Sequence, residues 1–194
     1  MEKLEQAFKL FDEYNKQSPD QLTWKGVTYP SEYFYSVELY NWVKKLAPEA
    51  SESLLLASRS QHIGRWEVPR NTYPDGRIGY LTWRSDLKKI HAQKAASILQ
   101  TVGYPEEVIE RVQAIIQKLQ LKLDPDVQTI ENALCLVFLE FQFDDLIEKL
   151  PEEKMINVLR KTWKKMSKEG HDAAMTLNFS PEGHALITKA LQET

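Results

Sequence analysis

Residues 54–94 read LLLASRSQHIGRWEVPRNTYPDGRIGYLTWRSDLKKIHAQK. The stretch has three parts. Its start continues an apolar helical pattern that begins near residue 49. Its middle, 67–83 (EVPRNTYPDGRIGYLTW), carries two prolines and two glycines and is not expected to be regular helix. Its end returns to helical spacing at Leu87, Ile90, Ala95, Ile98 and Leu99, with Gly103 as a C-terminal stop. Helix, long irregular loop, helix is the pattern of an all-α chain with an inserted functional segment, and the aromatics of the loop argue that it is ordered. The same stretch holds five of the seven arginines (Arg59, Arg65, Arg70, Arg77, Arg84), two of the four histidines (His62, His91) and two of the five tryptophans (Trp66, Trp83). Such a mixture suits a site that handles an anion, a metal, or both.

Working outward, every other stretch with a clear period has the helical one. Residues 1–16 place Leu4, Phe8 and Phe11 on one face, and residues 17–30 (QSPDQLTWKGVTYP) read as a loop. Ser31 can cap a helix whose Leu39, Trp42, Val43 and Leu46 follow i, i+3, i+4, i+7. Further helices are expected over 49–66, 84–102, 105–120 and 152–168, with Gly170 breaking the last, and over 171–178 and 181–191. Asp124-Pro125 opens the stretch with the cleanest buried stripe: Ile130, Ala133, Leu134, Val137, Phe138 and Phe141. No useful β-alternation stands out. The expectation is an all-α, single-domain helical bundle: an N-terminal helix and loop (1–30), a core (31–178) and a C-terminal helix (179–194).

A chain of 194 residues is long enough to bury a core, and 42% hydrophobic with 27% charged residues excludes wholesale disorder. A net charge of −3 argues against a dedicated nucleic-acid binder while leaving room for a local basic patch. The single cysteine, Cys135, has no partner for an internal disulfide. The N-terminus lacks the look of a leader, and no apolar run approaches the ~20 residues of a membrane span. A cytoplasmic protein is the expectation; the oligomeric state is left open.

His91 lies four residues after Leu87 and four before Ala95, so it faces inward. Taken alone it reads as a hydrogen-bonded core histidine. His62 lies seven after Leu55 and points the same way, and Glu131 sits at the edge of the 130–141 stripe, four before Cys135. A buried carboxylate is costly unless paired. Two histidines and a carboxylate on three helices make one expected divalent-metal set. Separate pairing of each with arginine or backbone is the equal alternative. The arginines likewise have two readings: bidentate binding of phosphate or carboxylate, or neutralisation of Glu67 and Glu131 by Arg59, Arg65 and Arg84. The basic run 160–171 (RKTWKKMSKEGH) reads as a solvated face, and surface positions are expected for His171 and His184.

At SRSQHIGRWEVPR (58–70), GYLTWR (79–84), HAQKAA (91–96), ENALCLVFLEF (131–141) and KTWKKMS (161–167) the chain resembles the domain of unknown function 4202 family, over about residues 31–177. That resemblance implies helices and no activity. LLLASRSQHIGR (54–65) is also similar to the A-x-L-H-D-I-G-K/R segment of HD-domain metal phosphohydrolases, HAQKAASILQTVGY (91–104) to their later histidine segment, and QTIENA (128–133) to their distal acid segment. The chain departs from that pattern. Gln61-His62 replaces His-Asp, no histidine precedes His62 (Tyr35 or Glu38 lies there instead), and Glu131-Asn132 stands at the distal Asp. What this resemblance implies is an HD-like fold and a metal-dependent hydrolase.

Three functions are therefore expected, in this order. The first is a phosphohydrolase acting on a nucleotide or other phosphate ester. Its metal sits on His62, His91 and Glu131, Glu67 is base or fourth ligand, and Arg59, Arg65, Arg70 and Arg84 hold and offset phosphate charge. The second is a metal-free module in which the arginines, Arg77 among them, and Trp66 and Trp83 bind a nucleotide, an RNA end or another anion. The third is an interaction protein whose cluster is an internal salt-bridge network.

Overall fold

The computed structural model describes residues 2–192. Met1, Glu193 and Thr194, the outermost residues of the expected spans 1–30 and 179–194, lie outside the described residues. The all-α expectation holds: the described elements are helices apart from one short hairpin. It gathers into two compact units, Met1–Gln120 and Leu121–Thr194.

In the first unit α1 (Glu2–Asn15) buries Ala7, Phe11 and Asn15, one per turn. Residues 17–30, expected as loop, contain an antiparallel hairpin: β1 (Gln21–Trp24) pairs with β2 (Val27–Pro30), Gln21 opposite Pro30 and Trp24 opposite Val27. Lys25 and Gly26 turn it with φ of 49° and 80°. A two-residue turn with both φ positive matches the right-handed twist of paired strands, which is why a glycine sits there. The strands are four residues long and no residue in them is fully buried, so they leave almost no alternating pattern to read.

Helix α2 (Ser31–Leu46) buries Phe34, Leu39, Trp42 and Val43 and packs against α3 (Glu52–Ser60), with Phe34 against Trp24 and Tyr29 of the hairpin. Ser51 caps α3 by accepting from the Leu54 N–H at 3.1 Å. Helix α3 also packs on α1 and α5, and so buries Ser58, Arg59 and Ser60 as well as its leucines. It is shorter than expected, because the chain turns at residues 61–64, where Gly64 has φ 69°.

The irregular segment is also shorter than its composition suggests. Single 3₁₀ turns at Arg65–Glu67 and Arg70–Thr72 lead into α4 (Gly76–Val102), which starts eight residues before the expected 84. Gly79 lies inside this helix and does not break it. A Cβ there would lie 1.9 Å from the Pro74 carbonyl oxygen, so glycine lets the loop backbone fold back onto the first turn of α4. Helix α4 ends as expected: the Gly103 N–H bonds to Gln100 O and the Tyr104 N–H to Leu99 O, the paired bonds of a Schellman cap. Helix α5 (Glu106–Ile116) lays Ile109, Val112, Ile115 and Ile116 against α4 and α3. Each such fully buried aliphatic side chain contributes roughly 1.5–3 kcal/mol.

The second unit begins with α6 (Pro125–Phe141), capped by Asp124, whose carboxylate accepts from the Asp126 and Val127 N–H groups. Val127, Ile130, Ala133, Leu136 and Val137 form its buried stripe. Around it come α7 (Phe143–Ile147), α8 (Glu152–Lys165), α9 (Lys168–Ala174) and α10 (Pro181–Gln192). Gly170 was expected to break a helix but sits within α9. A Cβ on it would meet the Asn132 side chain at 2.7 Å, so its smallness serves a helix contact. No helix among the described residues is long and apolar enough to cross a membrane.

Candidate functional site

In the first unit the structure brings His62 and His91 together, with ring centroids 5.9 Å apart. His62 is half-buried in the turn after α3, and His91 is buried in the middle of α4. His91 Nδ1 lies 2.8 Å from the Ile63 carbonyl oxygen. A carbonyl only accepts, so Nδ1 carries the hydrogen. Burial pushes the His91 ring down to about 4; the Ile63 bond opposes this, and the charges of Arg65, Lys94 and Arg84 add to it. His62 is held well below its ordinary value by burial first, then by Arg65, His91, Lys118 and Arg84. Both imidazoles are neutral at pH 7, and Nε2 of His91 is therefore an acceptor.

The charges of Arg65 and Arg84 act on both rings. Arg65 stacks over the Trp83 ring with its guanidinium carbon 5.3 Å from the centroid, and Arg84 lies 6.0 Å from that of Tyr80. Tyr80 and Trp83 touch each other at 6.0 Å, and Trp83 Nε1 donates to Val68 O at 2.8 Å, which fixes the indole. Arg84 donates at 3.4 Å to the Tyr80 hydroxyl. Neither Arg65 nor Arg84 has a carboxylate partner within ion-pair distance among the described residues.

Sequence reasoning missed Glu32. It sits half-buried in the first turn of α2, near enough to Arg65 for the two charges to act on each other. Burial raises its carboxyl to about 7, against the pull of Arg65 and with a small push from Asp20. An acid in a first helical turn ordinarily reads as a dipole partner, and nothing in the local pattern marks this one as buried. Lys118, whose charge reaches His62, was missed for the same reason: it lies in a turn beyond α5, distant in sequence.

The other expected residues are placed elsewhere. Arg59 is buried beneath Phe8 and Tyr40 and pairs with Asp12 of α1. Glu67 accepts from the Tyr14 hydroxyl and pairs with Lys94 at 2.7 Å. Desolvation raises its carboxyl, but the Lys94 and Tyr14 bonds outweigh this and hold it below the ordinary value. Arg70 turns to backbone, donating to Tyr73 O at 3.0 Å and Pro74 O at 2.9 Å, and so closes its own loop. Trp66 packs against Tyr14 with centroids 5.8 Å apart, and Arg77 is exposed near the start of α4. Glu131 belongs to the second unit, where it is buried on α6 and lies 3.8 Å from Lys165. His171 is half-buried and stacks on Trp163 at 4.9 Å, while His184 is exposed. The arginines expected to neutralise Glu67 and Glu131 do not: lysines lie beside both.

His62 and His91 are neutral and adjacent, as ligands must be, and the Ile63 carbonyl orients His91 as an outer partner would. Among the described residues, however, no group of three or more His, Cys, Asp or Glu gathers to hold an ion. Arg65 and Arg84 act on both rings, with Lys118 on His62 and Lys94 on His91, against one carboxylate, Glu67; this balance favours an anion over a dication. The two neutral histidines supply two of the donors that a metal centre takes.

No curated protein and no solved structure matches the chain. One family model does, over residues 5–187, nearly the whole length. The chain belongs to the family described as a domain of unknown function (DUF4202).

Proposed function

We propose that this protein binds a small phosphorylated molecule at the His62–His91 pair, without a metal. The observation that carries the reading is the state of Arg65 and Arg84: the charges of both act on a neutral histidine pair, and neither has a carboxylate partner within ion-pair distance among the described residues. Arg65 is held over Trp83, so little rotamer freedom is lost when it meets a ligand. Guanidinium groups match phosphate oxygens in pairs, and the protonated nitrogen of neutral His62 can add a donor. Supporting charge comes from Lys118. The chain's net charge of −3 favours a small ligand, drawn by local charge, over a long RNA, which needs a broad basic track. A cytoplasmic setting goes with this proposal, since Cys135 is a buried free thiol.

Calorimetric titration with inorganic phosphate and pyrophosphate tests the reading. Saturable binding is expected, weakened roughly 10- to 100-fold by Arg65→Ala or Arg84→Ala, the range of one charge-assisted contact. Affinity unchanged from that of the unaltered protein in both variants overturns it. Phosphohydrolase chemistry belongs to the competing, metal-dependent reading. Stoichiometric Zn²⁺ or Mn²⁺ uptake, lost in His62→Ala, would put that reading in first place.

A further inference from the structure

Beside the two arginines the site holds acceptors that lack a donor. Nε2 of His91 is an acceptor because Nδ1 is committed to Ile63 O, and it makes no hydrogen bond among the described residues. The Glu32 carboxyl makes none either. A fully deprotonated phosphate satisfies Arg65 and Arg84 but offers these acceptors nothing. A phosphate monoester has its second pKa near ~6, so at pH 7.5 it is mostly without a proton to donate. An ammonium donor at His91 would meet the charges of Arg65, Lys94 and Arg84, while the nearby Glu67 carboxylate is already paired with Lys94. The donor that fits both the acceptors and the positive field is neutral: a hydroxyl.

We infer that the phosphorylated ligand also carries a hydroxyl group close to its phosphate, donated to Nε2 of His91, so that the class recognised is polyol and sugar phosphates. This rests on the phosphate reading above. Arg65 and Arg84 hold the phosphate, and the neutral His91 ring reads the hydroxyl. A site built to accept a hydroxyl hydrogen penalises an analogue that lacks it, because the acceptor is then desolvated with no partner.

The test compares methyl phosphate, glycerol 3-phosphate and ribose 5-phosphate by calorimetry on the full chain at pH 7.5. At least one hydroxylated probe is expected to bind tenfold or more tighter than methyl phosphate. In His91→Leu, checked for fold by circular dichroism, that ratio is expected to fall toward one while methyl phosphate still binds. If His91→Leu does not fold, the ratio in the unaltered protein decides. Three phosphates of equal affinity would overturn the hydroxyl inference and leave the phosphate site standing. No binding by any of the three would overturn both.

Discussion

Glu32 and His91 titrate in opposite senses, and both senses follow from burial. An ordinary histidine protonates near 6.5, but His91 in the fold does so only near 4. Between these values the unfolded chain takes up a proton that the native ring refuses, so the His91 contribution to stability is lost as pH falls from 6.5 toward 4. Glu32 is raised from 4.5 to about 7. Its native form keeps a proton that the unfolded chain gives up, so its contribution is complete below 4.5 and is lost as pH rises through 7. Glu32→Gln removes the second effect. Urea unfolding should show the variant more stable than the unaltered protein by about 3 kcal/mol at pH 8, with little difference at pH 4.5. A gain of equal size at both values would contradict burial of that carboxyl.

Arg59 shows what the sequence alone conveyed at this scale. Its need of an anionic partner was plain; the partner was not, because Asp12 lies 47 positions away on another helix. Asp12→Ala leaves a buried guanidinium without its carboxylate and should cost about 3–5 kcal/mol. Thermal unfolding measures this. A loss below 1 kcal/mol would mean that Arg59 is solvated in the fold. Likewise His62 and His91 were readable as inward residues from helical spacing, whereas Glu32 and Lys118 enter the site only through tertiary packing.

At the scale of elements, the 3.6-residue period located the helices well and glycines misplaced their ends. Gly79 and Gly170 were read as breakers, yet both sit in helices because a neighbouring group occupies the space of a side chain. The hairpin escaped because four-residue, half-exposed strands carry no period worth reading. Gly79→Ala tests the close approach of Pro74. A rigid backbone carbonyl 1.9 Å from the new Cβ must move, although alanine is the better helix former by roughly 1 kcal/mol. A net loss of about 1–3 kcal/mol is expected, with proteolysis enhanced in residues 65–75. A stabilised variant would show that the loop does not lie against α4.

At the scale of the molecule, the helical class was legible throughout, because packing faces repeat along every long segment. The division at Gln120 was not, because no proline- or glycine-rich linker marks it. That division also bears on chemistry: the expected ligands His62 and His91 belong to one unit and Glu131 to the other. The reading that follows is a site built within the first unit from the ends of α2, α3 and α5 and the length of α4. The most direct test is a phosphate titration followed by proton–nitrogen NMR of the full chain. The account predicts saturable shifts in the Nε–H signals of Arg65 and Arg84 and in the ring signals of His62 and His91, with both rings neutral at pH 7. Shifts that never saturate, or that fall on the lysines of α8 in place of these residues, would contradict it.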